Sequence, residues 1–183
     1  MGFHTFDPEM VDRLEDPTRF RFCSREELLQ YLPRDGTLLD LGSGSGFYTD
    51  ELAPFFEKVY ALDLQMAMHE RYRERGVPEN VHPVVGTADS LPIATASVDG
   101  VVSTMTYHES ASEQSAMDLH RVLTPEGSLV VVDWSRAGQG KAGPPRTERH
   151  DAATARAHLE DAGFVVSHAT ERGETFHLCA HPS

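Results

Sequence analysis

Three glycines and one aspartate have the types and the spacing of a site for a nucleoside-containing ligand. The glycines lie in the sequence LLDLGSGSG at residues 38–46, and Asp63 follows the next apolar run, KVYAL at residues 58–62. Glycines after a strand permit a tight turn and let backbone N–H groups approach a ligand. A carboxylate at the tip of the neighbouring parallel strand can accept hydrogen bonds from both hydroxyls of a ribose. The two features together predict a site for a ribose-bearing ligand.

The spacing of the glycines indicates which kind of ligand this is. A dinucleotide fingerprint, G-x-G-x-x-G, counted from Gly42 would have its third glycine at position 47, where this chain has Phe47. The chain has G-x-G-x-G instead, which disfavours an NAD-dependent dehydrogenase. A helix beginning near Phe47 would direct its positive N-terminal end at an anionic group of the ligand.

The sequence DLGSGSG at residues 40–46 resembles motif I of the class I S-adenosylmethionine-dependent methyltransferases, most of all the methyltransferase type 11 group. Two further regions are similar to this family: GTADSLP and SVDGVVS within residues 86–103, and HRVLTPEGSL at residues 120–129. The chain departs from the family pattern at Ile93, where the family usually has Phe, and at Glu126, where it usually has Gly. Neither departure lies in the glycine loop.

The resemblance implies an enzyme that transfers a methyl group from S-adenosylmethionine to a small-molecule acceptor and releases S-adenosylhomocysteine. Asp40 is expected to orient the methionine ammonium, Asp63 the ribose, Leu64 the adenine face, and Ala88 with Asp89 the adenine edge. The predicted cofactor-binding residues are Asp40, Gly42, Ser43, Gly44, Gly46, Asp63, Leu64, Ala88, Asp89 and Thr104. The alternative is a non-catalytic protein that binds the cofactor, its product or a partner through the same fold.

Candidate catalytic residues follow the predicted strand that ends near residue 103. Methyl transfer from a sulfonium releases a neutral thioether, so most of the rate can come from alignment of the acceptor with the methyl group. An acceptor hydroxyl, phenol or acidic C–H would also need a base, and His108 with Tyr107 is the candidate. The other interpretation is that His108 and Glu109 only begin or cap a solvated helix. Asp133 and Trp134 end a later strand and either contact the acceptor or pack in the core.

Composition limits the class of protein. A length of 183 residues suits one domain, and 29 acidic against 16 basic residues give a net charge of −13. Such a charge repels nucleic acids and anionic membranes, so neither is an expected partner. Only two of the bases, Lys58 and Lys141, are lysines, which favours adaptation to concentrated salt; an ordinary acidic enzyme with arginine-favouring codon usage is the alternative.

Cysteines and apolar segments give expectations about location and metals. Cys23 and Cys179 lie far apart and form no C-x-x-C pattern, so neither a disulfide framework nor a metal site is expected. No signal-peptide core follows Met1, and no apolar stretch approaches the ~20 residues that cross a bilayer. A cytoplasmic protein, monomeric or homodimeric, is therefore expected.

Strands and helices alternate along the chain. The predicted strands are residues 37–41, 58–62, 82–85, 98–103, 128–133, 164–169 and 174–180, and the predicted helices between them are 47–55, 65–75, 112–122 and 150–162. A further helix before the first strand is predicted from a capping box of Ser24 and Glu27 and ends at Pro33. This alternation indicates an α/β fold, a Rossmann-like, doubly wound and mostly parallel seven-stranded sheet with helices on both faces. The last two strands are predicted to form a hairpin, which agrees with the antiparallel last strand of the family.

Two segments lie outside this alternation. Residues 1–23 carry four phenylalanines and two Asp-Pro pairs and are assigned to an N-terminal extension, followed by the methyltransferase domain over 24–183. In small methyltransferases of this type such a segment commonly folds over the cofactor as a lid; packing against the sheet edge is the alternative. Residues 135–147 are rich in Gly and Pro and predict a mobile loop at the carboxyl end of a strand, where ligands bind in such sheets.

Overall fold

The computed structural model of the protein describes residues 14–183. Residues 1–13, which form more than half of the predicted N-terminal extension, lie outside the described residues. No helix in the described part of the chain is both long enough and apolar enough to span a membrane.

Seven strands form one sheet. They are β1 (Thr37–Leu41), β2 (Lys58–Asp63), β3 (Val81–Val85), β4 (Val98–Thr104), β5 (Leu123–Trp134), β6 (Phe164–Glu171) and β7 (Thr175–Pro182). Their order in the sheet is β3-β2-β1-β4-β5-β7-β6. Strands β1 to β5 run parallel, whereas β7 pairs antiparallel with both β5 and β6. The predicted mostly parallel sheet with an antiparallel last strand is confirmed.

The helices of the described residues lie between the strands. They are α1 (Arg25–Leu29), α2 (Phe47–Leu52), α3 (Met66–Arg75), α4 (Tyr107–Ser110), α5 (Glu113–Val122) and α6 (Ala152–Asp161). Short side chains cap several of them: Ser24 and Glu27 form the expected capping box before α1, and Ser112 and Ser115 form another before α5. These caps use N–H groups that the first turn of a helix leaves unpaired, so they fix where the chain turns into a helix.

The core has two layers of apolar side chains, one on each face of the sheet. Leu39, Val101 and Val131 belong to the layer that α5 and α6 cover, and Leu38 and Val102 to the layer that α1, α2 and α3 cover. Adjacent strand residues point to opposite faces, so strands buried on both sides are apolar throughout. This arrangement confirms the predicted fold with helices on both faces.

Some element bounds differ from the prediction. The helix expected over 47–55 is α-helical only to Leu52 and continues as a 3-10 turn over Ala53–Phe55, because Pro54 has no N–H to extend the α-helical hydrogen bonds. Strand β5 begins at Leu123, five residues before the predicted start, since Leu123 pairs with Val98 of β4. A separate short helix, α4, precedes α5.

Candidate active site

A cavity of about 630 Å³ lies at the carboxyl ends of β1, β2 and β4. Its walls come from the glycine loop after β1, from the segments after β2 and β4, from the N-terminal segment Leu14 to Phe22, and from Trp134 with residues 141–144. This is the edge at which open α/β sheets bind ligands, because the connections that follow β1 and β4 run to opposite faces of the sheet and leave a crevice between them. Its volume is in the range of small-molecule and cofactor sites.

The three glycines of the loop after β1 have different roles. All three have positive φ angles, but a Cβ atom at Gly42 would collide with the side chain of Thr106, and one at Gly46 with the ring of Tyr72. At Gly44 a Cβ atom would have only the Leu14 side chain near it, at 3.4 Å. Gly44 therefore exposes its backbone to the cavity, whereas Gly42 and Gly46 let the loop pack on the protein, and Gly46 does not line the cavity.

The Asp63 carboxylate lies against this loop. It accepts hydrogen bonds from the backbone N–H groups of Gly44 and Gln65, each at 2.8 Å. The N–H of Gly42 donates to the carbonyl of Leu62 at 2.8 Å and so joins the loop to the end of β2. The structure brings the predicted glycine turn and the predicted acid together at one edge of the sheet.

Unpaired polar atoms cluster at the glycine loop. Asp40 Oδ1, Ser43 Oγ and Ser45 Oγ are buried and have no hydrogen-bond partner within the described chain. The other oxygen of Asp40 accepts a hydrogen bond from Thr49 Oγ1 at 2.6 Å, and burial raises the pKa of Asp40 to about 6. Asp40 lies below the loop and does not line the cavity. Buried polar atoms normally find partners, and Ser43 and Ser45 line the cavity, so their unpaired hydroxyls are compatible with a polar ligand group there.

Apolar side chains line the part of the cavity that follows β2 and β3. Leu64 lines it and is 43% exposed, and Ala88, Asp89 and Met68 line it as well. The Asp89 carboxylate accepts a hydrogen bond from Ser112 Oγ, which fixes its orientation beside α5. An exposed leucine next to a fixed carboxylate suits a flat, partly apolar ring with a polar edge.

His108 forms a pair with Asp133 at the cavity wall that follows β4. His108 Nδ1 lies 2.9 Å from both carboxylate oxygens of Asp133, and the backbone N–H of His108 also donates to Asp133. The His108 side chain is 8% exposed and that of Asp133 is fully buried. Burial by itself would lower the pKa of His108, but the hydrogen bond and the charge of Asp133 outweigh burial and raise it. Because Nδ1 faces the Asp133 carboxylate, the proton of the neutral imidazole is assigned to Nδ1 and the lone pair to Nε2, which lies 3.7 Å from Glu109 Oε1.

Tyr107, the other predicted catalytic residue, does not reach the cavity. It is 4% exposed, belongs to the core layer beneath α5 and α6, and packs edge-on against the rings of His150 and Phe176. Burial raises the pKa of its hydroxyl. Tyr107 and His108 are neighbours in α4 and so point about 100° apart, which places one in the core and the other at the cavity.

The sequence from β1 to β5 shows which family the chain belongs to. Residues 39–131, just over half of the chain, match the model of a methyltransferase domain family, type 11. The chain belongs to this family.

Solved structures and curated relatives agree with this assignment. The methyltransferase superposes on the crystal structure of a SAM-dependent methyltransferase from Aquifex aeolicus with a TM-score of 0.88 and 29% identity, covering 98% of this chain and 100% of that one. It is 31% identical over 133 residues to malonyl-[acyl-carrier protein] O-methyltransferase of Legionella pneumophila, covering 70% of this chain and 46% of that protein. It is 41% identical over 109 residues to the biotin biosynthesis bifunctional protein BioHC of Cellvibrio japonicus, covering 57% of this chain and 22% of that protein.

The chain spans about a fifth to a half of the length of these two curated relatives. It is nevertheless a class I S-adenosylmethionine-dependent methyltransferase by family and by fold, and S-adenosylmethionine is its cofactor. The unpaired atoms at the glycine loop and the open backbone at Gly44 are compatible with this zwitterionic, adenosine-bearing cofactor.

Two segments cover the cavity near Trp134. Phe22, in the N-terminal segment, packs edge-on against Trp134 with ring centroids 4.8 Å apart, and Gly143 packs on the Trp134 ring. Trp134 thus joins the two segments. Arg149, 2% exposed, lies beside the same ring and donates to the carbonyls of Ala142, Pro144 and Ser135, which holds the loop after β5 in place.

Sequence reasoning missed three features of this site. It named His108 and Asp133 without pairing them, it did not single out Arg149 as the residue that fixes the loop, and it gave no role to Arg19, which lines the cavity. A signal for the first was present, because His108 closely follows one predicted strand and Asp133 ends another. The other two depend on loop conformation, for which the sequence carries no periodic pattern.

Proposed function

We propose that this methyltransferase methylates a small molecule at an atom that loses a proton to His108. The observation that carries the proposal is the His108–Asp133 pair on the cavity wall opposite the glycine loop. A positioned histidine is the most common general base, and a buried aspartate is a common means of orienting such a histidine. His108 is the catalytic residue of this proposal, and Asp133 positions it.

The cofactor site of the proposal uses predicted residues that line the cavity. They are Gly42, Ser43, Gly44, Asp63, Leu64, Ala88, Asp89 and Thr104. Asp40 acts from beneath the loop through its unpaired oxygen, and Gly46 shapes the turn. When bound, S-adenosylmethionine supplies an electrophilic methyl group on its sulfonium.

The remaining steps belong to the chain's own residues. His108 Nε2 accepts the acceptor's proton, while Asp133 stabilises the positive charge that the imidazole gains. The Trp134 ring, Phe22 and the loop held by Arg149 cover the acceptor side and exclude water. Exclusion of water and alignment of the acceptor supply the rest of the rate.

The acceptor class can be tested by fractionation. Protein incubated with methyl-labelled S-adenosylmethionine and a cell extract is expected to produce a labelled small molecule in the ultrafiltrate that separates from the cofactor by chromatography and is absent without the protein. Label in the protein fraction would favour an acceptor held on a carrier protein, as the name of the Legionella relative states for that enzyme. Label confined to protein or nucleic acid would contradict the small-molecule proposal.

A further inference from the structure

The two segments that cover the cavity reverse the charge of the chain. The chain has 29 acidic residues against 16 basic ones, but residues 14–22 and 141–144 contribute three permanent cations and one acid to the cavity lining. The cations are Arg19, Arg21 and Lys141, and the acid is Asp16. None of the three cations forms an ion pair with an acid of residues 14–183. Arg19 lies over the Phe47 ring at the start of α2, whereas the other two cations lie towards Trp134.

Arg21 is held on an aromatic ring, and the acid in its own segment does not pair with it. Its guanidinium lies 4.5 Å from the centroid of the Phe22 ring, and Phe22 packs edge-on against Trp134. The hydrogen bond from the Thr18 N–H and, to a smaller extent, the charge of Arg21 lower the pKa of Asp16, but the two side chains form no ion pair. The Arg21 guanidinium donates no hydrogen bond to residues 14–183, so its N–H groups are available to a ligand.

Lys141 lies in a loop that Glu174 holds without use of the lysine ammonium. The Glu174 carboxylate accepts hydrogen bonds from the backbone N–H groups of Gly140 and Lys141, each at 3.0 Å. The ammonium itself forms no hydrogen bond or ion pair within the described part of the chain. Two residues later, Gly143 packs on the Trp134 ring. The backbone of Lys141 is therefore fixed close to Trp134, while its charge is left without a partner.

These two cations belong to the acceptor side of the cavity. Trp134, which both covering segments contact, directly follows Asp133, the residue that orients His108. A net charge of −13 repels anions at long range, whereas cations on the walls of a concave site raise the local concentration of an anion. Arg21 and Lys141 together are therefore suited to an acceptor that carries a negative charge.

We propose that Arg21 and Lys141 bind an anionic group of the methyl acceptor, so that the substrate is a small organic anion that carries a carboxylate or a phosphate ester. The inference rests on the proposed function and names the substrate class of that site. A planar guanidinium can donate two parallel hydrogen bonds to either group, and a lysine ammonium adds a compact charge. The methyl group goes to the atom whose proton His108 removes. The anionic group is a separate one, so the product keeps its negative charge.

The charge of the methylated product tests the substrate class directly. The labelled small molecule obtained by the fractionation described above should be retained on an anion-exchange resin at mildly alkaline pH and eluted by salt. Retention that is lost after phosphatase treatment would identify the anionic group as a phosphate ester, and retention that survives it would identify a carboxylate. A labelled product that passes through the resin would overturn the inference and leave the proposed function intact. Absence of any labelled small molecule would instead reject the proposed function.

The contribution of the two cations is tested with Arg21→Gln and Lys141→Gln. Each should raise the acceptor KM by about 3- to 10-fold and the double variant by about 10- to 100-fold, with a smaller change in kcat. Arg21→Lys should lose less than Arg21→Gln, because it keeps the charge. Calorimetric affinity for S-adenosylhomocysteine should stay within about threefold of the wild type in all of them, since the acceptor and not the cofactor loses a contact.

Matched controls are Arg34→Gln and Lys58→Gln. Each removes one positive charge from an exposed residue outside the cavity, so it changes the net charge of the protein as the tested variants do. Both controls should leave the acceptor KM and the affinity for S-adenosylhomocysteine unchanged. An acceptor KM that rises equally in the controls, or that does not rise in the double variant, would overturn the inference.

Discussion

The cofactor side and the acceptor side of the cavity are built in different ways. On the cofactor side, residues 40–65 form the turn and its acid largely among themselves, through backbone hydrogen bonds such as Gly44 N–H to Asp63. On the acceptor side, the contacts are between side chains from distant parts of the chain: His108 with Asp133, and Phe22 with Trp134. The first construction depends on local sequence, and the second depends on the completed fold.

Cofactor binding and acceptor chemistry are expected to depend on these two kinds of contact separately. Backbone groups and one carboxylate can hold a ligand whose shape never changes, such as a cofactor. Side chains from several elements can be replaced singly, which makes the acceptor side the place where chemistry and specificity are set. The comparison implies that changes on the acceptor side should alter turnover and leave cofactor affinity intact, and that changes on the cofactor side should do the reverse.

The largest effect is expected from His108→Gln. Removal of the base should lower kcat by about 10²- to 10⁴-fold, the usual contribution of a positioned general base. Affinity for S-adenosylhomocysteine should stay within about threefold of the wild type, since no cofactor contact is lost. Single-turnover assays with the acceptor identified by fractionation measure the first quantity, and calorimetry measures the second.

The control for this change is His82→Gln, an exposed position on β3 outside the cavity. It should leave both quantities unchanged. A His108→Gln enzyme with normal turnover would remove general-base catalysis from the proposed function and leave alignment as the source of the rate.

The reverse pattern is expected from Asp63→Ala on the cofactor side. Loss of the charge-assisted hydrogen bonds to the ribose, together with loosening of the Gly44 turn, should weaken S-adenosylhomocysteine binding by about 10- to 100-fold. At saturating cofactor, kcat should change far less. Glu57→Ala removes the same charge at the other end of β2 and should bind normally. Equal binding of S-adenosylhomocysteine by Asp63→Ala and the wild type would contradict the role of Asp63 in cofactor binding.

Asp133→Asn tests how the acceptor side sets its pH dependence. The pKa of His108 is raised above its ordinary value of 6.5, so kcat/KM should increase with pH as the imidazolium loses its proton. Asparagine removes the charge that raises this pKa but keeps the burial that lowers it. The midpoint should therefore move to lower pH, with a smaller loss of kcat than in His108→Gln.

The exposed Glu148 provides a graded control, because its charge also raises the pKa of His108 but acts from farther away. Glu148→Gln should move the midpoint in the same direction by less. A midpoint that moves to higher pH in Asp133→Asn, or stays where it is, would contradict the assignment of this histidine as the titrating base.

The local signals of the sequence predicted the glycine turn and the position of Asp63 beside it. Glycine spacing, a capping serine at Ser24 and alternating strands and helices reflect backbone preferences that act over a few residues. Asp63 could be placed beside the glycine turn because consecutive parallel strands end at the same edge. The helix after the turn was predicted too long only because Pro54 ends its α-helical bonding.

The acceptor side was less predictable for a physical reason. Helix α4 has four residues, too few for a periodic pattern to show that Tyr107 enters the core and His108 the cavity. The pairing of His108 with Asp133 follows from the adjacency of β4 and β5, in which Thr104 lies beside Val132. That adjacency is a property of the sheet order, which the sequence alone does not state. The positions of Phe22 and Arg149 depend on loops and have no sequence signal of this kind.

The smallest effect is expected from substitutions of two glycines in the loop after β5. Gly140 and Gly143 have nearly the same φ angle, +76° and +79°, so alanine at either position carries a similar backbone strain of about 1 kcal/mol. A Cβ at Gly140 meets only the flexible, exposed Arg146 side chain at 3.1 Å, whereas a Cβ at Gly143 collides with the Trp134 ring. Gly143→Ala should therefore displace Trp134 and raise the acceptor KM, by roughly tenfold or less. Gly140→Ala should lower the melting temperature similarly without this effect, and both should keep normal affinity for S-adenosylhomocysteine. If the two variants change the acceptor KM equally, backbone strain in the loop, and not the position of Trp134, determines how the acceptor side is closed.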